Sequence, residues 1–456
     1  MLSCDSNMAR QLKLFRGVGP SLGSRQAADQ SERRRIEAKY STLIHEDFRL
    51  GQLVSYVGNK TIPILRLYRY KEAFAFPFVQ EFIRRFGLTQ SDYLFDPFCG
   101  MGTTLFAAMQ QGIPAIGIDR LPIATFVART LPLFFSVEPP LLLETFQALS
   151  DKARNAEPAQ IASDVAIMQK AFPKTTLLAL RRWKTVIAEL DYPLRDIFSL
   201  LFLSILEPCS YTTKDGQFLR LRPDKQVADP AAMLQRKVHE AQTDITLLRQ
   251  LWGNQQKISP PLVQLADARD LSEVPFAQSP TALITSPPYA NRYDYTRTYA
   301  LELCFNFVKS SAELKTLRFG ILRSHIEAKV AATDRPPHPV IQEVVDLLRG
   351  NERKLNNPRI PAMLTAYFVD MRQVISEWGR VLAPGAQVAM VVDNVRFDGE
   401  LVPVDLVLSE LAEGMGFKVQ QVIVARYKGN SSQQMGKYGR VPVRESIVVW
   451  RKEGTT

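Results

Sequence analysis

An apolar run, Ala282-Leu283-Ile284, stops abruptly at Thr285-Ser286-Pro287-Pro288-Tyr289. Consecutive prolines cannot donate to a β ladder, so the run reads as a short buried parallel strand that ends there. Pro288 also restricts the backbone of Pro287, which makes the turn stiff and extended. At a strand's carboxyl end, such a turn fixes the Ser286 hydroxyl, the prolyl carbonyls and the Tyr289 ring. Two acceptors and a flat aromatic face suit a planar ring that carries an exocyclic amino group. Taken alone, the segment reads equally as a proline turn closing on a core tyrosine.

A second motif lies upstream. Residues 93–104, Tyr-Leu-Phe-Asp-Pro-Phe-Cys-Gly-Met-Gly-Thr-Thr, read as strand, glycine loop and helix start. This is how α/β folds hold nucleotides at a sheet's carboxyl edge. Gly100 and Gly102 permit close approach of a ligand to the backbone. There is no G-x-x-x-x-G-K-[ST] phosphate loop, and Leu105 stands where a dinucleotide fingerprint needs its third glycine. A second strand, Ala115-Ile116-Gly117-Ile118, ends in Asp119, an acid placed to suit ribose hydroxyls. Val263 to Ala266 leads in the same way to Asp267. Three acidic strand ends and the Ser-Pro-Pro-Tyr end are therefore expected along one edge of a parallel sheet.

Together these motifs resemble those of the amino-directed, S-adenosylmethionine-dependent DNA methyltransferases. DPFCGMGTT is similar to their cofactor motif D-P-F-x-G-x-G-T-T, and TSPPY to their catalytic motif [DNS]-P-P-[YF]. The resemblance covers residues 62–130 and 255–453. It implies an α/β, Rossmann-like class I methyltransferase fold: a seven-stranded, mostly parallel sheet with one antiparallel strand, plus helical insertions. It implies S-adenosyl-L-methionine as cofactor, with Asp96, Pro97, Phe98, Gly100, Gly102 and Thr103 around its methionine part. Asp119 would take the ribose hydroxyls and Asp267 the adenine amino group. Phe74 or Phe76 either packs against the methionine part or simply opens an amphipathic helix. In the same carry-over, Ser286 and the Pro287 carbonyl accept from the target amine, Pro288 stiffens the turn, and Tyr289 stacks on a base flipped out of the duplex. A leading serine is commoner in the cytosine-N4 enzymes of this family than in the adenine-N6 enzymes. The implied reaction is thus methylation of cytosine N4 in double-stranded DNA. Adenine N6, RNA guanine N2 and a non-catalytic DNA-binding subunit are the alternatives. No metal is implied, because a sulfonium is already a good leaving group. A cognate restriction endonuclease or defence-system partner is an expectation at the level of the family.

A formal net charge of +11 supports a polyanionic substrate. The longest apolar run, 197–206, is too short to span a membrane. The N-terminus lacks a signal-peptide pattern, and four scattered cysteines form neither a disulfide framework nor a metal site. A cytoplasmic enzyme is expected. Cys99 and Cys209 read as small buried thiols, which sets Pro208-Cys209 apart from the nucleophile of cytosine-C5 chemistry.

Residues 1–60 read as a basic arm and lead-in containing Arg33-Arg34-Arg35, and 61–130 as the cofactor-binding half of the core. Residues 131–255 form a helical insertion, with helices at 141–155, 175–190, 194–207 and 231–252. Residues 256–308 carry the catalytic turn, 309–360 a second insertion, and 361–456 the closing half, with strands at 387–392, 418–427 and 445–451. Either insertion is a candidate for target recognition. Arg66, Tyr68, Arg69, Tyr70 and Lys71 interleave charge and rings, as on a nucleic-acid surface or a half-exposed strand. Further candidates for DNA contact are Lys214, Arg220 and Arg222 on a loop of the first insertion, and Asn291, Arg292 and Tyr293 behind the catalytic turn. Lys428 and Lys437 flank a basic loop and complete the set.

Overall fold

The computed structural model describes residues 31–215, 218–252, 260–350, 355–429 and 442–454. Helix α1 (Glu32–Tyr40) and strand β1 (Ile44–Glu46) are followed by three short 3-10 helices and α2 (Phe76–Phe86). Next come β2 (Leu94–Asp96), α3 (Thr103–Gln110), β3 (Ala115–Asp119) and α4 (Pro122–Thr130). Between β3 and β6 lie α5 (Pro139–Ala153), α6 (Lys174–Ala188), α7 (Leu194–Ile205), strands β4 (Thr212–Asp215) and β5 (Phe218–Leu221), and α8 (Pro230–Trp252). Strands β6 (Leu262–Leu265) and β7 (Ala282–Thr285) precede helices α9 (Tyr295–Thr298), α10 (Ala300–Asn306), α11 (Ser311–Gly320), α12 (Pro339–Gly350) and α13 (Ile360–Val381). The chain closes with β8 (Gln387–Asp393), β9 (Val395–Phe397), β10 (Glu400–Val402), α14 (Val404–Glu413), β11 (Phe417–Lys428) and β12 (Val443–Lys452).

The central sheet runs β1-β11-β12-β8-β7-β2-β3-β6. Strand β12 is antiparallel to both its neighbours, and every other pairing is parallel. Seven strands form the class I methyltransferase sheet expected from the motifs. The eighth, β1, is a correction: it adds to the edge with Ile44, His45 and Glu46 opposite Val422, Ile423 and Val424. Helices cover both faces, so the inner strands are apolar throughout. Alternation then sorts their side chains. Leu94, Ala282, Ile284, Ala389 and Val391 join the core under α2–α8. Phe95, Leu283, Val388, Met390 and Val392 join the core under α1 and α12–α14.

Local signals explain the helix ends. Pro77 stands in the first turn of α2, and Gly87 closes it in the left-handed conformation at φ +64°. The helices between β3 and β6 match their expected positions within two residues. They continue the core on one face of the sheet, where Trp183, Phe198, Phe202 and Leu234 are buried. A buried Asp244 ties α8 to the lead-in, accepting from Ile64 N at 2.7 Å and from Arg66 Nη2 at 2.5 Å.

Several surface expectations fail. Thr212–Asp215 and Phe218–Leu221 pair as antiparallel strands instead of lying in a loop. The segment 60–71 is built on 3-10 turns, and the Tyr68 and Tyr70 rings are only 2% and 4% exposed. They pack in the core, so they cannot stack on nucleic-acid bases. Arg69 pairs with Glu207. In α1, Arg33 pairs with Glu343 and Glu400, and Arg35 with Glu410, which fastens the helix to the protein. Residues 1–30 and Lys437 lie outside the described residues. Among the described helices, no single one is long and apolar enough to cross a membrane. No cluster that could hold a metal ion occurs among the described residues.

Candidate active site

Parallel pairing of β7, β2, β3 and β6 brings their carboxyl ends to one edge. The glycine loop folds over that edge. Gly100 takes φ +50° and Gly102 φ +84°, a region that side chains disfavour. The two serve different ends. A Cβ on Gly102 would lie 2.9 Å from the Ala128 Cβ, so this glycine lets α3 pack on α4. A Cβ on Gly100 would lie 3.0 Å from the Tyr70 ring, at the cleft.

Gly100 N donates to Asp119 Oδ2 at 3.0 Å, and Leu121 N donates to Oδ1 at 2.8 Å. Burial pushes the Asp119 carboxyl up to about 6. Asp96 is turned beneath the loop. Its Oδ1 accepts from Thr285 Oγ1 at 2.6 Å and from Phe98 N at 3.1 Å, and burial pushes it up to about 6. It thereby braces the glycine loop against the strand that carries the Ser-Pro-Pro-Tyr turn, and it does not line the first chamber.

Two chambers open along this edge. The first holds about 610 Å³ and is lined by Pro97, Phe98, Gly100, Asp119, Asp267, Ser286 and Pro288, with Tyr70, Glu72 and Tyr295. Asp267 is gripped by Arg269, with Nε to Oδ1 at 2.9 Å and Nη2 to Oδ2 at 2.7 Å. Burial opposes ionisation of Asp267, but Arg269 outweighs it and holds the carboxyl below its ordinary range. An ionised carboxylate offers about four lone-pair sites, so both aspartates keep acceptor capacity toward the chamber. Two such acceptors above the apolar Pro97, Phe98 and Leu121 suit a nucleoside with ribose hydroxyls and an amino-bearing base. The residues therefore fit S-adenosylmethionine.

The second chamber holds about 890 Å³ and is lined by Phe74, Ser286, Pro287, Tyr289, Asn291, Tyr293, Asp393 and Lys428, among others. Glu72, Ser286 and Tyr295 line both chambers. Ser286 Oγ donates to the Val391 carbonyl at 3.2 Å. Its single proton is thus engaged, and its lone pairs remain acceptors. Tyr289 donates its hydroxyl to Glu445 Oε1 at 3.1 Å, with Lys428 Nζ 5.6 Å from its ring centre. Glu445 also pairs with Arg426 and, at 2.5 Å, with Lys428, which reaches Asp393 at 3.2 Å. Burial pushes the Asp393 carboxyl up to about 7 against the pull of Lys428.

Not every expected residue is at the cleft. Phe74 lines the second chamber, but Phe76 meets Phe106 edge-on in the core. Gly102 and Thr103 lie behind the loop; Thr103 accepts from the Asn59 amide at 3.4 Å. Lys214 is only 4% exposed and is paired with Glu302, so it cannot reach a ligand outside. Arg220 and Arg222 are exposed and pair with Asp215 and Asp224. Asn291 and Tyr293 line the second chamber, whereas Arg292 lines a neighbouring groove. Cys209 is buried, and its thiol is pushed up to about 12 by burial, as an inert core thiol should be.

Sequence reasoning missed Glu72, which accepts from the Tyr293 and Tyr299 hydroxyls. It also missed Asp393, although an acid at the end of a fifth strand repeats the pattern of Asp96 and Asp119. Arg426 and Glu445 carried no local signal; they meet only because β11 pairs with β12 in this register.

No family model matches the chain. The type II methyltransferase M.BsoBI of Geobacillus stearothermophilus is 35% identical, covering 94% of this chain and 93% of its own. The type II methyltransferase M.AvaI of a Nostoc species is 34% identical, with 88% and 89% covered. The rRNA methyltransferase aviRa of Streptomyces viridochromogenes aligns over 94% of this chain and 96% of its own at 12% identity. Its TM-score of 0.29 is too low to bear on the fold, which rests on the strand order given above.

Proposed function

This chain belongs to the type II DNA methyltransferases, and from that premise we propose that it methylates the exocyclic N4 of cytosine in double-stranded DNA. S-adenosylmethionine, when bound, supplies an electrophilic methyl group on a sulfonium. The protein's own task is to make a poor nucleophile attack it. The lone pair of an aromatic amine is delocalised into the ring. Acceptors aimed at its two N–H bonds draw the nitrogen toward tetrahedral geometry and spread the positive charge that grows on it. Ser286 Oγ and the Pro287 carbonyl are those acceptors. Asp119 and Asp267 hold the nucleoside half of the cofactor in the first chamber, and the amine approaches from the second. Tyr289, tethered to Glu445, supplies the face on which the extruded base stacks.

The observation that supports this reading most is the position of Ser286. It forms the wall common to both chambers, and its proton is already committed to Val391. A serine held in this way is an acceptor without a base to make it a nucleophile. The leading serine favours cytosine N4 over adenine N6 through the motif resemblance.

The test is direct. Purified protein is incubated with unmethylated DNA and methyl-labelled S-adenosylmethionine, and the DNA is digested to nucleosides for mass analysis. N4-methyldeoxycytidine is expected. N6-methyldeoxyadenosine would move the assignment to adenine, and label confined to RNA would end it.

A further inference from the structure

We propose that Arg292 is a phosphate clamp for the DNA strand whose base enters the second chamber, an inference that rests on the function proposed above. Arg292 follows the catalytic turn by three residues, and its neighbours Asn291 and Tyr293 line that chamber. A base delivered there leaves its own sugar and phosphates at the mouth, where this loop runs.

Arg292 is built at a cost that its own surroundings do not offset. Its backbone sits at φ +72°, unusual for a residue with a side chain, and is held there by Arg292 N donating to Ser324 O at 3.0 Å. The side chain is half-buried, and its Nε is buried without a hydrogen-bond partner. No carboxylate among the described residues pairs with it; its one charge-related contact is the Phe397 ring, at 5.8 Å. The guanidinium lines a groove of about 610 Å³ with Phe218, Asp294, Arg297, His325 and Glu327. The two acids there already have partners. Asp294 pairs with Arg318 at 2.8 Å and Arg297 at 3.5 Å, and Glu327 pairs with Arg318 at 3.0 Å and with Arg297. Burial lowers the His325 imidazole, which keeps it neutral. Two acids balanced by two arginines leave Arg292 as the uncompensated charge. A partly desolvated guanidinium without a counter-ion is costly. A phosphodiester supplies the missing anion in the bidentate geometry that arginine prefers.

The experiment uses the full-length protein and plasmid DNA that the wild-type protein is first shown to methylate. DNA affinity is measured across a salt series for wild type, Arg292→Gln and Arg292→Lys. Arg292→Gln should weaken binding about tenfold and reduce the slope of log K against log salt by about one. S-adenosylmethionine affinity should be unchanged and the melting temperature unchanged or higher, since an unpaired, half-buried charge is removed. Arg292→Lys should keep the slope and recover part of the affinity. Wild-type DNA affinity and slope in Arg292→Gln would overturn the clamp while leaving the proposed function intact. So would an unchanged slope with relaxed choice of methylated sequence, which would make Arg292 a reader of base edges. A wild-type protein that methylates no DNA would overturn the proposed function and the clamp with it.

Discussion

The two chambers share one wall and are built on different principles. The first is made of strand ends: Asp119 and the glycine loop are set by backbone amides, and Asp267 pairs with Arg269 and, at 4.0 Å, with Arg120. The second is made of side chains gathered across β8, β11 and β12, where Asp393, Arg426, Lys428 and Glu445 form a continuous ionic chain. A chamber set by backbone has a fixed shape and suits a ligand that never varies. A chamber set by side chains can adjust as a base arrives. The contrast predicts that damage to the wall, to the ionic chain and to a strand end will separate experimentally.

Replacing the shared wall has the largest expected effect. Ser286→Ala should lower single-turnover methylation by roughly 10²–10³-fold, with S-adenosylmethionine affinity within about twofold of wild type by calorimetry. Equal loss of both would mean that the chambers are not functionally distinct. Glu445→Ala comes next. It takes Glu445 from Arg426, which is 31% exposed, and leaves Lys428 with Asp393, so the loss should be about 2–3 kcal/mol, below the figure for a fully buried pair. Urea unfolding measures it. Cofactor affinity in the folded variant should be unchanged, because this residue belongs to the second chamber alone.

The smallest effect is a pH dependence confined to the first chamber. Asp119 is pushed up to about 6, and in the role proposed for it the ionised form accepts from the ribose hydroxyls. Cofactor binding therefore releases a proton below that value: affinity should rise with pH up to about 6 and level off above it. Asp119→Asn should abolish this step and weaken binding about tenfold at neutral pH. A pH step that survives in Asp119→Asn would assign it to Asp96, whose carboxyl is pushed up to the same value.

The same contrast governs what could be read from the chain. The common edge of β2, β3, β6 and β7 was legible because each of these strands ends in its own motif within a few residues. The hairpin β9–β10 carries a local signal too: Asp398-Gly399 sits between alternating residues, and both take positive φ. β1 carries no pattern in three residues and exists only by pairing with β11. Lys214 looked like a surface cation because its partner, Glu302, is 88 residues away. In the second chamber Ser286, Pro287, Tyr289, Asn291, Tyr293 and Lys428 were legible, whereas Asp393, Arg426 and Glu445 were hidden for the same reason: they are joined by register across β8, β11 and β12.

A crystal structure of the protein with S-adenosylhomocysteine, the demethylated product, decides which chamber holds the cofactor and which way its sulfur points. The ribose is expected on Asp119, the adenine amino group near Asp267, and the sulfur facing Ser286 across the shared wall, with the second chamber open behind it. A ligand seated in the second chamber, or one whose sulfur points away from Ser286, would contradict that placement.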